Sequence, residues 1–407
     1  MIDEITTAEV DIAIFGGGVA GLWLLNRLRA LGYSVLLFET DSLGGGQTMK
    51  SQGIIHGGMK YALQGVFTND AKAMLDMPVR WQQCLEGRGD IDLTHVPVLS
   101  QQHYLWSPGK LVSKITGFLA STTLSSKVNA LPKNQYPAVF QHSAFKGEVY
   151  ALDELVIDVP ALVCELSKAH QDVIFKVNAI TENDLTFDEQ GKLVSIHISY
   201  DAKSIQLNAQ QFIFTAGAGN ELLAKTLTSH HVATQRRPLH MVMVKAPAQF
   251  PLYAHCLGFG SRPRMTITTH YLQDGSAIWY MGGLIAEDGI HKSSVEQIKA
   301  TKVELKSLFP WLDFSEAEFA SFMVDRAEPL QANGFKPETS FSQSIQNITV
   351  AWPTKLALAP KLADEIMQSI AHVGCIPHAA NIAALSGWPK PSIATPVWED
   401  MFCNNVN

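Results

Sequence analysis

The 407-residue chain contains few cysteines, no block of basic residues and no long apolar run. Its five cysteines are scattered without a CxxC pair, which argues against a disulfide framework and a zinc site. No apolar run approaches the ~18 residues of a membrane-spanning helix, and the acidic amino terminus is unlike a signal peptide. The net charge of -7 does not indicate a nucleic-acid surface. We therefore expect a cytoplasmic protein without nucleic-acid partner, transmembrane segment or metal, with loose membrane association left open.

The composition is that of a globular protein with a substantial core, being 46% hydrophobic and 17% charged. The clearest passage is VDIAIFGGGVAGLWLLNRLRALGYSVLLFET. Val10–Phe15 predicts a buried strand, Val19–Leu31 a helix with leucines at helical spacing, and Val35–Phe38 a second buried strand. Together these elements predict a βαβ unit.

A GxGxxG motif, Gly16, Gly18 and Gly21, falls at the strand-to-helix turn of this unit. The glycines permit a tight turn, approach of a pyrophosphate to the backbone, and close packing of helix on strand. The helix amino terminus then offers N–H groups to phosphates, and Glu39 stands where an acid accepts from ribose hydroxyls. The motif predicts a dinucleotide site, favours a free 2′-hydroxyl, and leaves FAD and NAD open. The alternative is a tight turn that binds nothing.

Further patterns predict an interleaved architecture. Strands are expected over residues 172–180, 192–200 and 203–214, the last opening onto a small-residue turn at 215–219. A hairpin with a type I′-compatible turn is expected at Asp274-Gly275. The stretch NITVAWPTKLALAPKLADEIMQSI predicts strand, turn and helix. We expect an α/β protein in which a Rossmann-like FAD-binding domain (1–82, 152–233 and 343–388) alternates with a mostly antiparallel α+β substrate domain (83–151 and 234–342), followed by a tail (389–407).

These pieces in this order resemble the D-amino-acid oxidase superfamily of FAD-dependent oxidoreductases, from about Val10 to about Ile370. The more specific match is TMKSQGIIHGGMKY (48–61), which looks like the segment after the second strand in flavin-dependent glycerol-3-phosphate and L-2-hydroxyglutarate dehydrogenases. The resemblance implies that a Thr/Ser-rich loop runs under the pyrophosphate and ribityl chain. It also implies that the glycines let backbone lie against the isoalloxazine ring.

The resemblance places His56 at the flavin edge, as a general base, a hydrogen-bond partner of the flavin or a covalent attachment point. A core histidine satisfied by backbone is the alternative. Lys60 occupies the position of a basic residue that faces the substrate anion. Glu328, in RAEPL, stands where these relatives carry an arginine, so Arg326 is expected to replace it unless the substrate lacks the anion. His270 could also line the pocket or be an ordinary sheet residue.

The late segment VAWPTKLALAP is expected to supply N–H groups of a helix amino terminus to the flavin pyrimidine. Lys355 there could add a charge or simply be solvated. Together with the fingerprint, the resemblance predicts these cofactor contacts: Gly16, Gly18, Val19, Ala20, Gly21, Glu39, Thr40, Thr48, Ser51, Gln52, Gly53, Ile180, Ala216, Gly217, Thr354, Lys355 and Leu356.

The resulting hypothesis is an FAD-dependent oxidoreductase that moves hydride from a carbon bearing an amine or hydroxyl to flavin N5. The expected substrate is a small, anionic hydroxy acid, amino acid or polyol phosphate, with His56, Lys60 and Arg326 as catalytic residues. No motif separates oxygen from quinone as electron acceptor. The alternatives are a nicotinamide-dependent dehydrogenase and a flavin-binding protein without catalysis.

Overall fold

The structure is a computed structural model that describes residues 6–57, 74–108, 128–221, 232–245, 250–258, 262–330, 337 and 339–403. The strands in chain order are β1 Thr7–Phe15, β2 Val35–Glu39, β3 Ile54–Ile55, β4 Val98–Ser100, β5 His103–Ser107, β6 Val128–Ala130, β7 Glu148–Leu152, β8 Leu155–Ile157, β9 Ile174–Lys176, β10 Leu185–Phe187, β11 Leu193–Tyr200, β12 Lys203–Phe214, β13 Thr234–Lys245, β14 Ala254–Leu257, β15 Pro263–Tyr271, β16 Ala277–Gly282, β17 Glu318–Pro329, β18 Phe341–Ile345 and β19 Ile348–Trp352. The α-helices are α1 Val19–Ala30, α2 Met77–Leu85, α3 Val159–Lys168, α4 Leu284–Glu287, α5 Ser294–Leu308, α6 Ala359–His372 and α7 Val397–Phe402.

The first sheet is built on the predicted βαβ unit. β1 lies between β2 and β12 and pairs with both in parallel. β9 continues the parallel order beyond β2, and β19 continues it beyond β12. Parallel strands covered on both faces read as continuous apolar runs, as Val35–Phe38 does. β10, β11 and β18 add antiparallel edges to this Rossmann-like sheet.

Among the described residues, the second sheet has the order β17-β13-β16-β15-β14-β5-β7-β6, in which β14–β5 is the one parallel pairing. A third, three-stranded antiparallel sheet, β3-β8-β4, joins segments that precede and follow strands of the second sheet. Strands of the first sheet come from 7–39, 174–214 and 341–352, and those of the second from 103–152 and 234–329. The predicted interleaved fold class is confirmed, whereas the exact domain boundaries stay a prediction.

Two local predictions differ from the structure. The hairpin joins β15 and β16 through the five residues between Tyr271 and Ala277, and Gly275 alone of the Asp-Gly pair has a positive φ, +82°. A type I′ turn needs positive φ at both central residues, so that turn type is wrong. The strand expected over 172–180 is shortened at both ends to β9: residues 171–173 form a 3₁₀ turn, and residues 177–180 have no strand pairing.

The carboxyl-terminal segment from Trp388 onward connects the two large sheets. Trp388 donates its indole N–H to the carbonyl of Lys176 beside the first sheet, at 2.7 Å. Further along, α7 packs on the second sheet, where the ring of Trp398 stacks on His270 at a centroid distance of 4.2 Å. The tail is thus part of the folded unit. No helix among the described residues is both long and apolar enough to cross a membrane.

Candidate active site

The fingerprint glycines allow β1 and α1 to approach at their shared turn. Gly16 has a φ of +113°, and a Cβ there would lie 2.7 Å from the backbone of Ala216. A Cβ on Gly21 would lie 2.0 Å from the carbonyl oxygen of Gly16. Gly18 is the N-cap of α1 and offers no side-chain hydrogen bond to it. The helix amino terminus therefore has the form of a phosphate cradle.

Two predicted polar residues hold the amides of this turn. The carboxylate of Glu39 accepts a hydrogen bond from the Gly17 N–H at 2.6 Å and another from the Thr40 N–H at 2.8 Å. The hydroxyl of Thr48 accepts from the Val19 N–H at 3.1 Å. Oε1 of Glu39 also accepts from the Asp41 N–H at 3.0 Å and from the Thr40 hydroxyl at 3.3 Å, so the acceptor site left for a ribose hydroxyl is on Oε2, which takes the Gly17 bond alone.

A cavity of about 1890 Å³ extends from the fingerprint to the second sheet. It exceeds the ~300–1,000 Å³ typical of small-ligand sites, so it has room for a dinucleotide and a small second molecule. Two predicted residues are not among those that line the cavity. Gly21 packs behind the cavity wall, and Lys60 lies outside the described residues. The predicted residues that line it are Gly16, Gly18, Val19, Ala20, Glu39, Thr40, Thr48, Ser51, Gln52, Gly53, His56, Ile180, Ala216, Gly217, Arg326, Thr354, Lys355 and Leu356.

A short antiparallel ladder fixes the glycine-containing segment before His56. β3 pairs with β8, with Ile55 opposite Leu155. Gly53 has a φ of +71°, and a Cβ there would lie 2.3 Å from the carbonyl oxygen of Ile157. We expected this glycine because backbone must approach a flat ring. The contact that requires it in the structure is instead the approach of Ile157.

Hydrogen bonds also tie this segment to the second sheet. Gln52 Nε2 donates to the carbonyl of Tyr280 at 2.8 Å, and the Tyr280 hydroxyl donates to the carbonyl of Lys50 at 2.7 Å. His270, considered above as a pocket residue, is instead buried in the sheet outside the cavity lining. Burial lowers the pKa of His270 to about 3. The ordinary sheet interpretation is therefore correct for His270.

His56 and Glu154 continue the β3–β8 ladder by one step. Ile54 pairs with Val156 and Ile55 with Leu155, so position 56 falls opposite position 154. His56 Nδ1 lies 3.4 Å from Glu154 Oε2, and the Gly57 N–H donates to Oε1 at 2.8 Å. Burial raises the pKa of Glu154. The hydrogen bond and charge of His56 and the Gly57 amide oppose this rise, and the pKa lies below its ordinary value. An ionised carboxylate thus faces His56.

Two further histidines stand beside this pair. The His255 ring is stacked on His56, with centroids 6.0 Å apart, and its Nδ1 lies 2.8 Å from the Thr266 hydroxyl. The His103 ring is buried 4.1 Å from that of His255. Burial holds the pKa of His103 well below its ordinary value, and the charges of His255 and His56 lower it further. Glu154 and His255 both line the cavity and were not predicted as site residues.

Arg326 lines the cavity from β17. Its Nε donates to the carbonyl of Arg237, whose own guanidinium is paired with the buried Glu328 at 3.1 Å. Burial lowers the pKa of Arg326, and the nearby charge of Arg237 adds to that effect. Among the residues that the structure describes, Arg326 forms no ion pair with a carboxylate within 4.0 Å. Glu328 thus neutralises Arg237, and Arg326 remains available for an anion.

The late segment differs in detail from the expected helix amino terminus. The Lys355 N–H donates to the carbonyl of Pro353 at 2.7 Å, and α6 begins only at Ala359, after a 3₁₀ turn. Thr354 has a φ of +59°, which is unusual for a β-branched residue, and its hydroxyl donates to the carbonyl of Thr339. The Lys355 N–H is therefore not free for a cofactor, contrary to the expectation that the N–H groups of this segment face the flavin.

The turn after β12 lies beside the fingerprint turn and lines the same cavity. Buried Asn220 accepts a hydrogen bond from the Ala216 N–H at 2.8 Å and donates to the carbonyls of Phe214 and Ala351. Gly217 has a φ of +56°, and its carbonyl accepts from the Trp352 indole at 2.9 Å. This network fixes the predicted contacts Ala216 and Gly217 against β19.

Residues 11–323 match the protein family described as DAO, FAD dependent oxidoreductase. The chain belongs to this family. It is 46% identical over 395 residues to the FAD-dependent oxidoreductase PA4991 of Pseudomonas aeruginosa, covering 97% of this chain and 98% of that relative. The crystal structure of PA4991 superimposes with a TM-score of 0.82 at 40% identity, covering 98% of this chain and 99% of that chain.

Two distant structures share the fold. One is the dithionite-reduced L-alpha-glycerophosphate oxidase of Mycoplasma pneumoniae with FAD bound, at TM-score 0.63, 15% identity, and coverage of 89% of this chain and 95% of that one. The other is glycine oxidase of Geobacillus kaustophilus, at TM-score 0.60, 14% identity, and coverage of 91% of this chain and 100% of that one.

The protein is an FAD-dependent oxidoreductase, and its residues fit this cofactor. The glycine cradle at Gly16 and Gly21 would hold the pyrophosphate, and Glu39 would hold the ribose. The family match confirms the predicted cofactor, FAD, against the nicotinamide alternative, which the cradle alone leaves open. The individual contacts stay predictions.

Proposed function

We propose that this oxidoreductase oxidises a small anionic substrate at a carbon bearing a hydroxyl or an amine, with His56 as the base and Arg326 as the anion anchor. The observation that carries the proposal is the shared cavity: His56, Glu154 and Arg326 line the same space as the dinucleotide cradle. Bound FAD supplies the hydride acceptor. The named activities of the glycerophosphate oxidase and glycine oxidase cover both bond types.

The His56–Glu154 pair favours base chemistry. With Glu154 ionised, the Nδ1 of His56 faces a carboxylate and carries the proton, which leaves a lone pair on Nε2. Nε2 can then accept the O–H proton of a hydroxyl substrate. An ammonium substrate would lose its proton on binding, and His56 would orient it. Lys60 stays a predicted second contact to the anion.

Arg326 suits the role of anion anchor because it is half-buried and lines the cavity without pairing to a described carboxylate. A desolvated guanidinium binds a carboxylate or phosphate through two parallel hydrogen bonds. Holding the anion would orient the reacting carbon and would exclude neutral polyols as good substrates.

The test is an anaerobic screen of hydroxy acids, amino acids and glycerol phosphates, which follows bleaching of the flavin absorption near 450 nm, the wavelength region expected for oxidised flavin. We expect an anionic member to bleach the flavin. His56→Ala should slow that reduction by about 10²- to 10⁴-fold while FAD remains bound. The matched control is His197→Ala, which removes an exposed histidine of β11.

For the anchor, Arg326→Gln should raise KM far more for the anionic substrate than for its amide or ester. Arg262→Gln, at the cavity lining but paired with Glu287, is the control and should leave that discrimination intact. Reduction at the wild-type rate by His56→Ala would remove the histidine from the mechanism. A bound flavin that no compound bleaches would favour a flavin-binding protein without catalysis.

A further inference from the structure

The His56, Glu154 and His255 side chains converge from three different segments of the fold. His56 follows β3, Glu154 lies between β7 and β8, and His255 is on β14. Their potential ligand atoms all lie within 4.8 Å of one another. Among the described residues, no other group of three or more histidine, cysteine and acidic side chains has its potential ligand atoms this close together. All three line the cavity, so a small ion can reach them.

The spacing matches that of ligands around a transition metal. Zn²⁺ binds imidazole nitrogen and carboxylate oxygen at about 2.0–2.1 Å, which puts two tetrahedral ligands about 3.4 Å apart. His56 Nδ1 and Glu154 Oε2 are 3.4 Å apart. The third ligand atom needs an adjustment of roughly an ångström, within reach of a side-chain rotation. Two histidines and one carboxylate, with the cavity as an open fourth position, form a known zinc ligand set.

The residues around the three ligands provide the supporting contacts that such a site requires. The Gly57 N–H donates to the second oxygen of Glu154 at 2.8 Å, and the Thr266 hydroxyl lies 2.8 Å from Nδ1 of His255. Partners of this kind fix the orientation of metal ligands. His103 is fully buried against His255, and neither of its ring nitrogens has a hydrogen-bond partner among the described residues. A buried imidazole next to the cluster is a further donor that lacks a ligand.

We propose that His56, Glu154 and His255 form a binding site for a divalent transition-metal ion, for which Zn²⁺ is the probe. The ion would take the position between His56 and Glu154. With Nδ1 on the metal, the neutral imidazole carries its proton on Nε2, so His56 cannot accept another proton there. Metal binding and the proposed base role of His56 are therefore mutually exclusive, and the metal-bound form is the inactive one.

Binding is measured directly, without reference to turnover. The FAD-saturated protein, freed of metal by a chelator, is titrated with Zn²⁺ by calorimetry, and bound zinc is counted after equilibrium dialysis. We expect one ion per chain, with affinity at least tenfold weaker in His255→Ala and in the isosteric Glu154→Gln. His197→Ala, which removes an exposed histidine outside the cluster, should bind like the wild type. The flavin spectrum of each variant checks its folding.

Equal zinc affinity in wild type, His255→Ala and Glu154→Gln would overturn the site, as would the absence of binding at submillimolar Zn²⁺. A second measurement separates this proposal from the proposed function. Zn²⁺ should slow flavin reduction by a substrate found in the screen, and chelator should restore it. Zinc that binds through His255 and Glu154 but leaves reduction unchanged would contradict the base role of His56 and leave the metal site standing.

Discussion

Replacing Gly21 by alanine tests whether close packing of α1 on β1 sets the affinity for FAD. The new Cβ would lie 2.0 Å from the Gly16 carbonyl oxygen and 2.8 Å from the Thr215 hydroxyl, whereas ordinary contact begins at 3.4 Å. The first turn of α1 must therefore move by roughly an ångström or more. An N–H that lies ~2.9 Å from a phosphate oxygen then passes beyond hydrogen-bond distance.

The size of the effect follows from the number of bonds lost. A hydrogen bond to a charged group contributes about 1.5–3 kcal/mol. Losing one of them weakens FAD binding by about 10- to 150-fold, and losing two weakens it further. The measurement is titration of the apoprotein with FAD, followed by flavin fluorescence. Thermal unfolding of the apoprotein separates lost affinity from lost fold.

Gly46→Ala is the matched control, because Gly46 lines the same cavity and a Cβ there would meet nothing within 4 Å. We expect its FAD affinity to stay close to that of the wild type. If Gly21→Ala binds FAD as tightly as Gly46→Ala does, contact between helix and strand is not what shapes the phosphate cradle, and the reasoning fails.

Three further predictions concern stability. Asn220→Ala leaves the buried carbonyls of Phe214 and Ala351 without their donor and should cost roughly 2–4 kcal/mol, read from denaturant unfolding; an unchanged midpoint would contradict the network. Trp398→Ala removes a buried indole and should cost about 3–5 kcal/mol, with the largest loss of hydrogen-exchange protection in the second sheet. Burial lowers the pKa of His270 to about 3 in the folded state, against 6.5 in the unfolded state. The contribution of neutral His270 to the free energy of unfolding is therefore complete above pH 6.5 and is lost as the pH falls towards 3. Between pH 7 and pH 5 the free energy of unfolding should fall by about 2 kcal/mol through His270, and denaturant unfolding of His270→Phe should show a smaller fall over that interval than the wild type does.

The parts of the fold that could be predicted are those encoded by neighbouring residues. The βαβ unit follows from apolar runs, helical spacing and glycines within 30 residues of one another, and the structure has these elements to within two or three residues at each end. The residues that line the cavity could be predicted from the same signals and from the family resemblance, which relates segments that are far apart in the sequence. Local patterns failed where a backbone angle decided the outcome, as at Asp274 in the hairpin turn.

The tail shows a second kind of failure. Its sequence has little periodicity, so no element could be predicted, yet Trp398 within it and Trp388 just before it anchor this end of the chain to different sheets. Each indole contacts a surface that residues far away in the sequence form. Such contacts depend on the tertiary fold, and neither propensity nor spacing in residues 389–403 encodes them.

Glu154 was missed for a related reason, although its place follows from one fact about register. In an antiparallel ladder the numbers of facing residues have a constant sum, so Ile55 opposite Leu155 puts His56 opposite Glu154 and Gly53 opposite Ile157. One pairing thus accounts for the glycine, which the Ile157 carbonyl approaches, and for the carboxylate at Nδ1 of His56. The strands involved are two and three residues long, too short to be found by pattern. The His56–Glu154 pair is therefore a property of strand register, and the resemblance that located the histidine could not supply its partner.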